Sequence, residues 1–352
     1  MLCFKFAKAN IMMSMVNSII GGLMVKKVLL SEKIDQAGID LLEKNNFKVE
    51  VSKGPDTENM KQGLKDAYAV IMRSTPLNKD MIDAAPELKI ISRNGTGFNA
   101  VDVDEATKKG ILVARVNGAN SNAVAEYVLT TMLTLSRNII NADHVLKDKK
   151  NELQHDGSLP NFADKYSLNG HELTGKTLAI LGLGHIGRIT AQYAEDFGMN
   201  VIGYDPYLKQ SQVKWPLFSN LADIYSRADF LSINMPLTAE TKNMITMEQM
   251  KIMKNTAIII NSARGGIINE QDLAVALNNN IIAGAAVDSF NPEPPAADNP
   301  LFTARNVILT PHMAGTTFEA SEAVGIGAAQ AIIDFANGKM PQFTINPEVF
   351  KK

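Results

Sequence analysis

The sequence predicts an α/β protein built from two doubly wound parallel-sheet domains. Short apolar runs alternate with helical stretches along most of the chain. The runs are continuous rather than alternating, the pattern of strands buried on both faces. A chain of 352 residues is long enough for two cores. One stretch, Lys176 to Asp205, then adds a strand, a glycine-rich turn, a helix and a second strand in that order.

The bulk numbers narrow the class. Apolar residues make up 45% and charged residues 20%, as in a soluble globular protein. The net charge is −2 and there is no basic block, which argues against nucleic acid or an anionic membrane surface as the main partner. Cys3 is the only cysteine, so an internal disulfide and a cysteine-built metal site are excluded, and a reducing, cytoplasmic setting is expected. Residues 1–24 carry Lys5 and Lys8 ahead of a Met-rich apolar run that Asn10, Ser14, Asn17 and Ser18 interrupt. That run is too short for a dependable span. Met24 directly precedes the first convincing strand, so 1–24 is expected to be an upstream extension outside the fold.

From Lys26 onward, Val28–Leu30, Phe47–Val51, Tyr68–Met72, Leu88–Ser92 and Ile111–Ala114 read as strands. Helices are expected at Ala37–Asn45, Met60–Ala67 and Val103–Lys109. These complete a first α/β domain. Ser121 to about Lys150 reads as one long helix, since Val128, Leu129, Met132, Leu133, Leu135 and Ile139 recur at helical spacing. Asn151–Thr174 is polar, with glycine and proline, and reads as a surface connection. Strands follow at Leu178–Leu181, Val201–Tyr204, Phe230–Ile233, Ala257–Asn261, Ile282–Val287 and Val307–Thr310. A small-residue helix, Glu319–Phe335, and a tail, Gly338–Lys352, close the chain. The expected division is 25–120 with 311–352 as a discontinuous first domain, interrupted by 121–310, with the site in the cleft between them.

Within Lys176–Asp205, Gly182, Gly184 and Gly187 have G-x-G-x-x-G spacing. The first glycine permits the tight turn, the second lets backbone approach a pyrophosphate, and the third lets helix and strand pack closely. A helix is read from Ile189 to Phe197, and its first N–H groups and dipole favour the phosphates. Asp205, at the tip of the second strand, suits the adenosine ribose hydroxyls and repels a 2′-phosphate. That favours NAD over NADP, with Lys209 nearby to soften the preference.

In such a sheet the ligand lies outside the C-terminal strand ends. Arg264, Glu293 and His312 all follow strands there, in NSARGG, VDSFNPEPP and LTPHMAG. Arginine offers a planar fork to an anionic substrate and polarises its carbonyl. Histidine, with an ordinary pKa of about 6.5, gives or takes the proton of the oxygen undergoing change. A neighbouring carboxylate favours the imidazolium, and Pro292, Pro294 and Pro295 restrict the backbone around Glu293. Taken singly, each has a plainer reading: a solvated turn arginine, an exposed loop acid, a satisfied loop histidine. Their combination points to hydride transfer on a 2-hydroxy or 2-oxo acid. His144, His155, His171 and His185 form no ligand cluster, so no metal is expected.

These residues carry a resemblance. From about Val25 to Asn346 the chain resembles the D-isomer-specific 2-hydroxyacid dehydrogenases, and among them it is most similar to phosphoglycerate dehydrogenases without a C-terminal regulatory domain. The match rests on GLGHIGR, YDP, MPLTAETKNMI (Met235–Ile245), NSARGGIINEQDL (Asn261–Leu273), GAAVDSFNPEPP (Gly284–Pro295) and LTPHMAGTT (Leu309–Thr317), in that order. The resemblance implies a Rossmann cofactor domain inserted in a flavodoxin-like substrate domain, and a homodimer joined through the cofactor domains with the Ser121 helix as an arm. It implies Arg264 as substrate-orienting residue, His312 as acid/base and Glu293 as its partner. Gly182, Gly184, His185, Ile186, Gly187, Arg188 and Asp205 would line the pyrophosphate and adenosine side, with Pro236, Thr238, Ala263, Asp288, Ala314 and Gly315 along the rest of the NAD. RST and RNGTG (Arg73, Ser74; Arg93, Asn94, Gly95, Thr96, Gly97) match the loops for the substrate carboxylate, where glycine-flanked N–H groups suit an anion.

Asn234, Ala100 and Arg115–Val116 depart from the usual pattern and bear on the substrate rather than on the catalytic positions. 3-Phosphoglycerate is the first expectation, followed by hydroxypyruvate or glyoxylate and branched-chain 2-oxo acids. Formate oxidation is disfavoured, because it needs no proton shuttle and its pattern pairs the histidine with glutamine. An NAD-sensing corepressor-like binding protein keeps the same triad and is separated from the enzymes by turnover.

Overall fold

The first unit begins with β1 (Lys26–Leu30), α1 (Gln36–Lys44) and β2 (Phe47–Val51), followed by α2 (Thr57–Leu64), β3 (Ala69–Met72) and α3 (Lys79–Asp83). It continues through β4 (Ile90–Arg93), α4 (Val103–Lys108) and β5 (Leu112–Arg115). This computed structural model describes residues 25–350 apart from 99, 154 and 156, so the extension expected at 1–24 lies outside the described residues. All five strands are parallel in the order β2-β1-β3-β4-β5, the flavodoxin-like order, which reverses between β1 and β3. Every residue of β3 is buried, which is why its sequence shows an apolar run and not alternation.

Among the described residues, 25–119 and 318–350 form this unit, and Asn120–Thr317 forms the other. The expected return at 311 thus comes at Phe318. The stretch read as a tail is anchored to β5. Ile345 donates to the Val113 carbonyl at 2.8 Å, and buried Asn346 accepts from Val113 N while donating to Ile111 O.

The second unit opens with α5 (Ser121–Ser136), α6 (Ile139–Asp148) and α7 (Leu159–Lys165). The single long helix expected here is two, because Asn138 adopts a left-handed φ of 54° that breaks the ladder. The surface connection expected at Asn151–Thr174 contains α7, whose Phe162 is buried. Next come β6 (Thr177–Leu181), α8 (His185–Asp196), β7 (Asn200–Tyr204), α9 (Leu221–Arg227), β8 (Phe230–Ile233) and α10 (Met247–Ile252). The last elements are β9 (Ile258–Asn261), α11 (Glu270–Asn278), β10 (Gly284–Val287), β11 (Val307–Leu309) and, back in the first unit, α12 (Phe318–Ala336).

The six named strands are parallel in the order β11-β10-β9-β8-β6-β7. Leu217 adds a parallel bridge to Gly203 of β7, bonded through Pro216 O and Phe218 N. Counted as a strand remnant, it extends the sheet to the Rossmann order, with the reversal between β6 and β8. The two faces have separate cores. Ile259 lies with Leu231 and Val287 on one face, and Ile260 lies with Ala286 and Val128 on the other. Each buried valine, leucine or isoleucine among these contributes about 1.5–3 kcal/mol of transfer free energy.

Candidate active site

The glycine turn leaves β6 at the reversal of the second sheet. Gly182 has φ 91°, and a Cβ there would lie 2.7 Å from the Asn234 carbonyl. A Cβ on Gly187 would collide with the Gly182 carbonyl, so this position closes helix against strand. Gly184 differs, because a Cβ there would meet nothing within 4 Å. It is also the N-cap of α8, and no side chain caps that helix start. By contrast, Asp35, Asp56, Asn78, Asp102 and Asn269 cap other helices. The helix was expected to begin near Ile189 and instead begins at His185, which puts His185, Ile186 and Gly187 in its first turn. Open space over Gly184 and an uncapped helix start fit a pyrophosphate.

Asp205 is more than a ribose acceptor. Its Oδ2 accepts from Leu183 N at 3.0 Å, inside the glycine turn, and its Oδ1 accepts from Tyr207 N at 3.0 Å. A carboxylate has about four lone-pair sites, so acceptor capacity remains for a ribose. Arg188 ties Leu183 O through Nε and Gln212 O through Nη1, which braces the turn from the other side. Pro236 and Thr238 are exposed, and Thr238 N donates to Thr241 Oγ1. Ala263 N donates to Asn261 Oδ1. The Asp288 side chain is fully buried and engaged. Oδ1 accepts from Thr310 Oγ1 and Met313 N, and Oδ2 accepts from Ala314 N. It therefore fixes the 310–314 turn, and Gly315 lets that turn lie against Asn120.

The catalytic candidates converge at the ends of β9, β10 and β11. His312 Nδ1 meets Glu293 Oε1 at 2.5 Å. Both side chains are more than 40% exposed, so screening leaves the pair little weight in stability and its effect is orientation. His312 has a left-handed φ of 52°, unusual for a residue with a Cβ, and its N–H donates to Asp288 O at 2.9 Å. Tyr127 OH lies 2.7 Å from Thr310 Oγ1, and burial pushes its pKa up to about 12, so it stays a neutral brace.

Arg264 follows β9, its Nη1 on Ala263 O at 2.6 Å. Burial lowers its pKa, and the Glu293 charge opposes that shift. A guanidinium stays protonated nonetheless. Buried Asn261 staples this turn, donating to Arg264 O and accepting from Ala263 N. Its role was not read from NSARGG. The available signal was a polar residue closing an apolar strand.

In the first unit the RST loop leaves β3, beside the sheet reversal. Ser74 N and Thr75 N both donate to Glu32 Oε1, at 3.0 and 2.9 Å, and Ser31 Oγ donates to Glu32 Oε2. The Ser74 amide thus faces the protein's own carboxylate. Burial raises the Glu32 pKa, but hydrogen bonds from Ser31, Ser74 and Thr75 outweigh it, and the net shift is downward. Arg73 is exposed. Arg93 Nη1 bonds Met72 O and Asn94 O, each at 3.0 Å, and Arg115 Nη1 bonds Thr96 O at 3.2 Å. These two shape the Asn94–Gly97 loop, in which Gly95 has φ 143°.

Among the described residues no helix is long and apolar enough to cross a membrane, and no group of side chains is placed to hold a metal ion.

Residues 129–314 match the model of the NAD-binding domain of D-isomer-specific 2-hydroxyacid dehydrogenases. A D-3-phosphoglycerate dehydrogenase of Methanocaldococcus jannaschii is 39% identical over 324 residues, 91% of this chain; the chain spans only 59% of that protein's length. A Staphylococcus aureus protein named for the 2-hydroxyacid dehydrogenases is 37% identical over 328 residues, 92% of this chain and 100% of that one. Among solved structures, an acyclic imino acid reductase in complex with NADPH and D-Arg superposes with a TM-score of 0.79 at 26% identity, covering 91% of this chain and 99% of that chain.

Proposed function

The chain belongs to the D-isomer-specific 2-hydroxyacid dehydrogenases, and on that premise we propose that it transfers a hydride between NAD and a small anionic D-2-hydroxy acid or its 2-oxo counterpart. The observation that carries the reading is the 2.5 Å contact of His312 Nδ1 with Glu293. It leaves Nε2 as the nitrogen that handles the substrate proton. In reduction Nε2 donates to the carbonyl oxygen, and in oxidation it takes the hydroxyl proton back. Glu293 holds the ring orientation and balances the imidazolium. Arg264 orients the acid and polarises its carbonyl. When bound, the nicotinamide supplies or accepts the hydride. Gly182, Gly184, Gly187 and the start of α8 would hold its pyrophosphate, and Asp205 its adenosine ribose. The Asp205 carboxylate supports NAD over NADP, although one solved neighbour is described with NADPH.

For the substrate we propose 3-phosphoglycerate, with Arg73 holding its acidic group. The bonds of Arg93 and Arg115 to backbone carbonyls favour a second reading, an unphosphorylated hydroxypyruvate, glyoxylate or branched-chain 2-oxo acid, because a single outward arginine suits one anionic group. NADH and NADPH oxidation across a 2-oxo acid panel, including phosphorylated and unphosphorylated hydroxypyruvate, decides between them. Cofactor binding without turnover on any member would instead indicate the binding-protein alternative. Exposed Ile139, Ile140 and Leu146 on α6 support a homodimer, which light scattering of the purified chain tests.

A further inference from the structure

Glu293 sits on a loop that enters from buried Phe290 and has little backbone bonding of its own. Pro292, Pro294 and Pro295 have no N–H to donate. Among the described residues, 289–295 make no backbone–backbone hydrogen bond. Beside the loop lies a polar hollow of about 220 Å³, lined by Asn243, Gly266, Asn269, Glu270 and Asn291 among others. A catalytic carboxylate on such a segment needs an outside anchor.

The anchor is on α11. Glu270, in the first turn of that helix, accepts from Asn291 N through Oε1 at 2.7 Å. Its Oε2 accepts from Asn299 Nδ2 at 2.5 Å. One carboxylate therefore grips the loop two residues before Glu293 and again at its far end. Asn299 cannot turn its amide around freely, because its Oδ1 caps Leu301 N at 3.0 Å. The NSARGG turn completes the seat, with Gly265 under the Phe290 carbonyl and Gly266 under the Asn291 side chain.

We propose that Glu270 is a positioning residue for the reaction: its two-ended grip on the 291–299 loop sets the Glu293 carboxylate against His312. The inference rests on the acid–base reading above. The charged groups around this loop are Glu270, Glu293, Asp298, Arg264 and His312. Asp272, on the same helix, is engaged with Met247 N. Neutral Glu270→Gln offers one acceptor and one donor where two donors must be met, so it keeps one tether. Glu270→Ala keeps neither.

The test uses the full-length enzyme with NADH and whichever 2-oxo acid it turns over. Glu270→Ala is expected to lower kcat by about 10- to 100-fold, the range that a displacement of about 1 Å produces. The NADH Kd should stay within about twofold, and Glu270→Gln should fall between Glu270→Ala and wild type. The decisive readout is the pH at which the reductive rate falls and, independent of turnover, the pH at which the His312 ring signals titrate by NMR. Both should move to lower pH in Glu270→Ala, in the direction of Glu293→Gln. A purely structural role would lower the melting temperature and leave both where they are, and that result overturns the proposal. If Glu270→Ala does not fold, Asn299→Ala removes one tether with α11 intact and is judged by the same two readouts. If Glu293→Gln itself leaves the His312 titration unmoved, the acid–base reading fails and takes this inference with it. If Glu293→Gln moves it and Glu270→Ala does not, only the role of Glu270 is lost.

Discussion

The two sheets share one construction and end differently at their reversal points. In the second unit the turn after β6 stays open. Gly184 faces free space, the start of α8 lacks a side-chain cap, and Asp205 braces the turn from beneath. In the first unit the corresponding turn, after β1, is filled from within, since its Glu32 takes the amides of Ser74 and Thr75 from the loop after β3. An open anion seat invites a ligand phosphate, whereas a filled one makes a rigid platform from which a side chain projects. Arg73 is that side chain. The same strand-end physics thus yields a binding turn in one unit and a mount in the other.

The strongest challenge to this contrast is removal of the proton carrier. His312→Ala is expected to lower kcat by about 10²- to 10⁴-fold in both directions, the usual reach of general acid–base catalysis. NADH binding should persist, because the open turn is untouched. Stopped-flow fluorescence of bound NADH separates the two effects.

Gly184→Val and Gly187→Ala compare two glycines of one motif. Gly184→Val should weaken NADH binding by about tenfold or more, which is about 1.4 kcal/mol or more. Its melting temperature should hold, because its side chain enters open space. Gly187→Ala drives a methyl into the Gly182 carbonyl and should lower stability first. Equal losses of stability in both would contradict the open-turn assignment.

Arg73→Ala and Arg93→Ala probe the other unit. Arg73→Ala should raise the substrate KM by about tenfold while leaving the melting temperature unchanged, as for loss of an exposed charge-assisted contact. Arg93→Ala unties two carbonyls and should lower the melting temperature as well.

The smallest effect belongs to Glu32. Its pKa is lowered in the folded state, so its contribution is present above the unfolded value of about 4.3 and is lost as pH falls through the folded one. Wild type should melt about 2–4 °C above Glu32→Gln at pH 7, and the gap should shrink only as pH falls below about 4.3.

Much of this was legible in the sequence. Buried parallel strands reveal themselves as apolar runs, and chemistry at strand ends follows from the architecture, so Arg264, Glu293 and His312 stood out. Boundaries were less legible. Asn138 breaks a helix whose periodicity continues across it, and α7 hides in a polar stretch because only Phe162 is buried. The supporting side chains were hidden for another reason. Glu32 and Glu270 act by accepting backbone or amide protons from residues distant in sequence, and no local spacing records such partners. Asp288 shows the same pattern from the other side, for the resemblance implied a cofactor neighbour and the structure adds that its buried carboxylate ties down the His312 turn.

Whether His312 and Glu293 act as one acid–base unit is read from the pH dependence of both directions in wild type and Glu293→Gln. Reduction needs the protonated ring, so its rate should fall as pH rises, and oxidation should show the reverse. With the carboxylate neutralised, both profiles should move to lower pH. Profiles that keep their wild-type positions in Glu293→Gln would mean that the carboxylate plays no part in the proton transfer.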